Sequence, residues 1–285
     1  MAVIFIQIYR TQIHKQILKC PINKNDMSKI YKYFSCNEKH IESFRENYLW
    51  FSKPKFLNDP FDCNISHYSQ VLKDMKQQDK FPCRSAPYFP PDFTDEVLYR
   101  LIDSVNDYGV CCFSKEPDNE LLWSHYAKSH SGICIEYEAE ELNDLAGRMR
   151  SELTNVDYED TLIDLTQDIE WKQTNNGCIY SPIRTILRDD RNFDKLWLKL
   201  LTRKKTIWET EEEKRFIIMT GGVTLIEKGV VKGTIYDAGY KIPIKREMIT
   251  GIILGAKSDE ITNEIKSIFG NSVIYKKAKL DGKFN

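Results

Sequence analysis

Apolar and polar positions run through this chain in two rhythms, one close to two residues and one close to 3.6. "KIYKYFS" at 29–35 mixes aromatic and β-branched residues in extended spacing and predicts a short strand. "NEKHIESFREN" follows, with Ile41, Phe44 and Tyr48 falling on one helical face. "YLWFS" at 48–52 is a second strand and runs into the stiff acidic turn "NDPFD". Residues 80–95 hold four prolines, and the Pro90–Pro91 pair excludes a helix there. "TDEVLYRLIDSVND" predicts a helix with Thr94 as its N-cap.

"YGVCCFS" at 108–114 is a buried type of strand. "EPDNELLWSHYAKSHSG" predicts a helix that starts near Asp118 or Asn119 and ends before Gly132. "GICIEYEAE" is a further strand, and 139–205 turns mixed in charge and largely helical, interrupted by "TNNGCIYSP". "EEKRFIIMT" returns to a strand. A helix-like turn at "IPIKREMI", the strand "GIILG", a helix and the strand "SVIYKKAKL" complete the pattern. Interleaved but irregular strands and helices give an α+β class, in one domain over 27–285. Residues 1–26 read as an extension, because "PINKND" breaks the chain before Met27.

Charge and cysteine content narrow the function classes. Lys plus Arg is 41 against 42 for Asp plus Glu, a net charge of −1. Nonspecific duplex DNA binding calls for a more basic chain. No apolar run approaches the ~20 residues of a membrane span, and "MAVIFIQIY" lacks a basic leader and a cleavage site. Eight cysteines without a framework point to a reduced, cytoplasmic protein.

Three stretches carry candidate chemistry. In "WETEEEKRF", extended spacing over 211–218 puts Glu211, Glu213 and Arg215 on one face, and Glu212, Lys214, Phe216 and Ile218 on the other. Carboxylates entering a part-buried face need a partner, and Arg215 is the obvious one. Taken alone, the stretch favours an ion-paired strand end at the sheet rim over a catalytic glutamate fixed by an arginine. In "LLWSHYAKSHSG", Trp123 suits the core, whereas Ser124, His125 and Tyr126 cannot all be buried, so one or two line a pocket. His125 is an acid–base candidate by residue type. In "NDPFD", Pro60 stiffens the turn and Asn58 or Asp59 caps it, which leaves Asp62 in need of a partner or a ligand. Histidine and cysteine spacings match no metal site. No phosphate-binding glycine loop and no nucleophile elbow occur. "TRKK" at 202–205 reads as a solvated basic patch that could touch phosphates.

"YKYFS", "LWFSKPKFLNDPFD", "CCFS" with "LLWSHYAKSHSGICIEYE", and W-x-x-E-x-E-x-R at 208–215 stand in an order that resembles the bacterial domain-of-unknown-function family 2971. The likeness spans about 27–285. More distantly, the order of strand, helix, serine-bearing strand and late glutamate strand resembles the ADP-ribosyltransferase fold. That resemblance implies a mixed or antiparallel, partly split sheet flanked by helices, and NAD as substrate without a metal. A late-strand glutamate would then steady the oxocarbenium ion. It implies that Glu213 or Glu211 is the catalytic late glutamate, and His125 stands beside them as the catalytic candidate by residue type. Lys32, Tyr33, Ser52, Tyr126 and Arg215 would face NAD, and Asn58, Asp59, Asp62 and Ser124 the second substrate. The first strand departs from the fold's pattern, with Tyr31, Lys32 and Tyr33 where an Arg or His is expected. The implied role is a toxin or phage-defence effector acting on a protein or nucleic-acid target. Two other readings stand beside it. A metal-dependent nuclease would use Glu212-x-Lys214 with Asp59, on the opposite strand face. A noncatalytic binding module would use the same polar residues as scaffolding.

Overall fold

A computed structural model of the protein describes residues 29–63, 105–149, 151–161, 198–219 and 233–279. The extension 1–26, the proline-rich loop, almost all of the helix expected at 94–107 and "TNNGCIYSP" lie outside the described residues.

The chain opens with strand β1 (Lys29–Phe34), helix α1 (Glu38–Glu46) and strand β2 (Tyr48–Ser52). On β1 the two faces divide as a period of two requires. Ile30 and Phe34 enter the main core, while Tyr31 and Tyr33 join Trp123 in a smaller cluster. Helix α1 is capped by Asn37, whose side chain accepts from the His40 N–H at 3.0 Å. It buries Ile41 and Phe44, each side chain contributing about 1.5–3 kcal/mol of burial. Asn47, in the left-handed region at φ 53, ends it. Tyr48, expected on the helix face, therefore begins β2 instead.

Strand β3 (Tyr108–Ser114) leads to helix α2 (Glu120–His125) and strand β4 (Ile133–Glu138). The helix expected to reach Gly132 stops at His125, because Lys128, Ser129 and His130 all take positive φ. Gly132 is needed there: a Cβ would sit 2.0 Å from the Phe34 carbonyl oxygen.

Helix α3 (Ala139–Arg148) follows, and then strands β5 (Glu152–Asn155) and β6 (Asp157–Tyr158). The stretch expected to be largely helical is helical at Ala139–Arg148 and at 198–202, but β5 between them joins the main sheet. Strands β7 (Arg203–Lys204), β8 (Glu213–Met219), β9 (Thr234–Tyr236), β10 (Gly239–Pro243) and β11 (Ile249–Leu254), helix α4 (Asp259–Phe269) and strand β12 (Ile274–Lys277) complete the described elements. Ile242 and Pro243, read as a helix-like turn, belong to β10. Only Arg246–Met248 there forms a 3-10 turn.

The class is α+β with a mainly antiparallel open sheet. Its strand order is β12-β11-β4-β1-β3-β2-β10-β9, with β8 on β3 and β5 on β8. β3 is where the sheet divides. β1 meets it at Tyr31–Ser114 and β2 at Ser52–Val110, while β8 runs beside it for its full length. Two half-sheets thus diverge from a shared pair, β3 and β8. Lys32 bridges the gap where β1 departs: its Nζ donates to the Cys112 carbonyl at 2.8 Å and lies 5.5 Å from the Phe113 ring centre.

Candidate active site

A cavity of about 410 Å³ opens where β1 leaves β3. Its size suits a small organic ligand. One wall comes from residues 31–33 of β1 and 112–114 of β3, and another from the turn 57–62. Leu122, His125 and Tyr126 on α2 and Trp208 on the 3-10 helix Thr206–Glu211 close the remaining sides.

The floor is a chain of alternating charges. Lys204 donates to Glu211 at 2.5 Å and to Glu213 at 2.9 Å. Arg215 Nε donates to Glu213 at 2.8 Å, and its terminal nitrogens grip Asp62 at 2.9 and 2.5 Å. Arg215 also donates to the Leu201 carbonyl at 2.6 Å. Its guanidinium is 0% exposed, and such a charge is tolerable only when paired this fully. Asp62, which sequence left without a partner, is therefore the second half of a forked ion pair. Tyr126 Oη donates to Glu211 at 3.2 Å.

The two glutamates differ in proton affinity. Burial alone would raise both. At Glu213 the charge and hydrogen bonds of Arg215, with Lys204, outweigh burial and bring the carboxyl down to about 2. At Glu211 burial outweighs Lys204 and Tyr126, and the carboxyl is held above its ordinary value. Lys204 is desolvated too, but both glutamates hold it as an ammonium, with its pKa raised. Burial and the charge of Glu211 raise the Tyr126 phenol. Two carboxylates that share one cation yet titrate apart are the arrangement acid–base chemistry uses.

Most of the residues singled out in the sequence meet here. Lys32, Tyr33, Asn58, Asp59, Asp62, His125, Tyr126, Glu211 and Glu213 all line the cavity. Four details differ from expectation. Ser52 lies outside it, facing Gly239 and Val110, because β2 meets β3 four residues short of Ser114. Ser114 is the serine that lines it, donating to the Glu211 carbonyl at 3.0 Å. Ser124 is exposed on α2, on the side opposite Leu122, His125 and Tyr126. Arg215 lies under the floor, its donors consumed by protein acceptors, so it positions Glu213 and Asp62 rather than contacting a ligand.

Tyr33 is also committed. Its Oη donates to the Glu116 carbonyl at 2.8 Å and accepts from the Asn119 N–H at 3.3 Å. Its ring meets Trp123 edge-on, so it is anchored in place instead of free to stack.

Glu211 is not on the strand. It ends the 3-10 helix, Glu212 turns left-handed at φ 45, and β8 begins at Glu213. Glu212 is exposed, and neither it nor Lys214 lines the cavity. The Glu212-x-Lys214 pair of the nuclease reading is thus outside this site. Among the described residues no three His, Cys, Asp or Glu side chains are grouped to hold a metal ion. Sequence reading gave Lys204 and Trp208 no place in this site. Lys204 sat in a basic run that looked solvated, yet it is buried, with its ammonium 5.2 Å from the Trp208 ring centre. The one signal for it was the excess of acid in "ETEEE", which needs a buried cation as well as Arg215.

Residues 122–216 match the model of a family described as "Protein of unknown function (DUF2971)". That segment begins on α2 and ends just past Arg215, so it includes Tyr126, Lys204, Glu211 and Glu213. No curated protein and no solved structure matches the chain. Among the described residues no helix is long and apolar enough to cross a membrane.

Proposed function

We propose that the cavity is a catalytic site for cleaving an N-glycosidic bond, with NAD as substrate, in the manner of an ADP-ribosyltransferase. The observation that carries this reading is the pair of glutamates held by one ammonium with proton affinities displaced in opposite directions. Breaking the bond between ribose C1′ and the pyridinium nitrogen leaves the electron pair on nicotinamide, which departs neutral. Positive charge appears on the sugar. Glu213, anionic at any physiological pH, supplies a fixed counter-charge. Glu211, with raised proton affinity and Tyr126 on one oxygen, takes the proton from the incoming nucleophile as it bonds to C1′. Trp208, Tyr31 and Tyr126 offer ring faces and edges to a planar base. The divided sheet supports the same reading. As a toxin or phage-defence effector, the protein would pass the ADP-ribosyl group to a macromolecule.

The test pairs calorimetric binding of NAD with chromatography of released nicotinamide, for the native protein and a Glu211→Gln variant. The expected result is NAD binding by both and turnover lowered about 10²–10⁴-fold in the variant. Absence of both binding and nicotinamide release at millimolar NAD would overturn the proposal.

A further inference from the structure

Beside the cavity mouth lies a strip that the chemistry inside it does not use. It belongs to the excursion from β2 into the turn, residues 53–63, together with the start of the 3-10 helix at Thr206. Three large apolar side chains stand in solvent there: Phe56 is 49% exposed, Phe61 53% and Ile207 76%. Two exposed lysines are interleaved with them. Lys55 lies 5.0 Å from the Phe56 ring centre, and Lys205 lies 4.3 Å from that of Phe61. The turn between Phe56 and Phe61 supplies Leu57, Asn58, Asp59 and Pro60 to the cavity wall. Trp208, next to Ile207, also lines the cavity.

Large apolar side chains grouped at one place on a surface mark an interaction site, whereas scattered ones do not. Alternation of ring faces with cations beside a concave site is the pattern that holds single-stranded nucleic acid, where bases stack and phosphates pair with lysine. Duplex offers no free ring faces to such a strip. The buried carboxylates Asp62, Glu211 and Glu213 are held by Lys204 and Arg215, and Asp59 accepts from the Phe61 N–H of its own turn. The exposed cations beside the two rings are Lys55 and Lys205.

From this geometry we infer that the Lys55–Phe56, Phe61–Lys205 and Ile207 strip is a docking surface for single-stranded nucleic acid, which it holds across the mouth of the cavity. Docking itself does not depend on the cavity's chemistry. Only the idea that the bound strand receives a group from the cavity rests on the proposed function.

The experiment is fluorescence anisotropy of the full chain with a labelled 20-nucleotide mixed-sequence single strand, as DNA and as RNA. The matching duplex and a poly-glutamate peptide serve as competitors. Binding is measured from 25 to 200 mM salt for the native protein, a Phe56→Ala/Phe61→Ala variant and a Lys55→Ala/Lys205→Ala variant. All four positions are exposed, and circular dichroism of each variant checks that it is folded. The expected result is binding of at least one single strand, weakened tenfold or more by the double phenylalanine change. Removing both lysines should flatten the slope of log affinity against log salt by about 1.4, the value for two phosphates on a single strand. The inference is overturned if neither strand binds at 25 mM salt. It is also overturned if duplex or poly-glutamate competes as well as single strand, or if the phenylalanine change leaves affinity intact. A protein that binds NAD but no strand would lose this inference and keep the proposed function; the reverse result would do the opposite.

Discussion

Glu213 and Glu211 sit on one ammonium, yet substitution separates them. The Glu213 carboxyl, at about 2 against an ordinary 4.5, is bound by fewer protons in the folded state than in the unfolded chain. It therefore stabilises the fold fully above pH 4.5, and that contribution is lost as pH falls towards 2. A shift of this size is worth about 3 kcal/mol. Urea unfolding of Glu213→Gln should show that loss at pH 7, with a flatter decline in acid. Glu211 has the opposite sign. Its raised carboxyl binds a proton more tightly when folded, so its contribution falls as pH rises through its titration. Glu211→Gln should cost less stability at pH 7 than Glu213→Gln and, on the proposed function, lower nicotinamide release about 10²–10⁴-fold. Equal losses of stability in the two variants would mean that both are scaffolding. The alternation of "ETEEEKRF" was enough to place Glu213 and Arg215 together. It set Glu211 on the same strand, whereas Glu211 ends the 3-10 helix, before the left-handed turn at Glu212.

Helix α2 and the 3-10 helix Thr206–Glu211 face each other across the site, and Asn119 joins them. Its side-chain oxygen accepts from the Leu122 N–H at 3.2 Å, which caps α2. Its amide nitrogen donates to the Thr210 carbonyl. Asn119→Ala should cost about 1 kcal/mol as a lost cap. Hydrogen exchange should quicken at 206–212 as well as at 120–126. Faster exchange on α2 alone would show that Asn119 does not couple the two. Elements of this kind were only partly legible. Strands β1, β2, β3, β4 and β8 follow from their apolar runs, and the cap of α2 from "DNELL". The length of α2 did not follow, because Lys128, Ser129 and His130 carry no mark of their left-handed backbone. β5 was hidden because "ELTN" is short and polar and gains its strand character from the edge of β8.

At the scale of the whole molecule, the sheet's two arms hang from β3 and β8. Trp50 lies on one arm, in β2, and Trp123 packs against β1 of the other. Because both arms need the same central pair, they should unfold together. Fluorine NMR of fluorotryptophan-labelled protein should give one urea midpoint for Trp50 and Trp123. Separate midpoints would mean that the arms are independent units. No local pattern announces this division, since it depends on which strands meet and not on what each contains. The forked pair of Asp62 and Arg215 has a consequence in time. The two residues are 153 positions apart. At ~5–20 residues per second, a ribosome takes on the order of ten to thirty seconds to deliver the second after the first. Through that interval Asp62 waits without its cation, and the pocket has no floor. Whatever this protein does in the cavity, a nascent chain cannot do it until translation has passed Arg215.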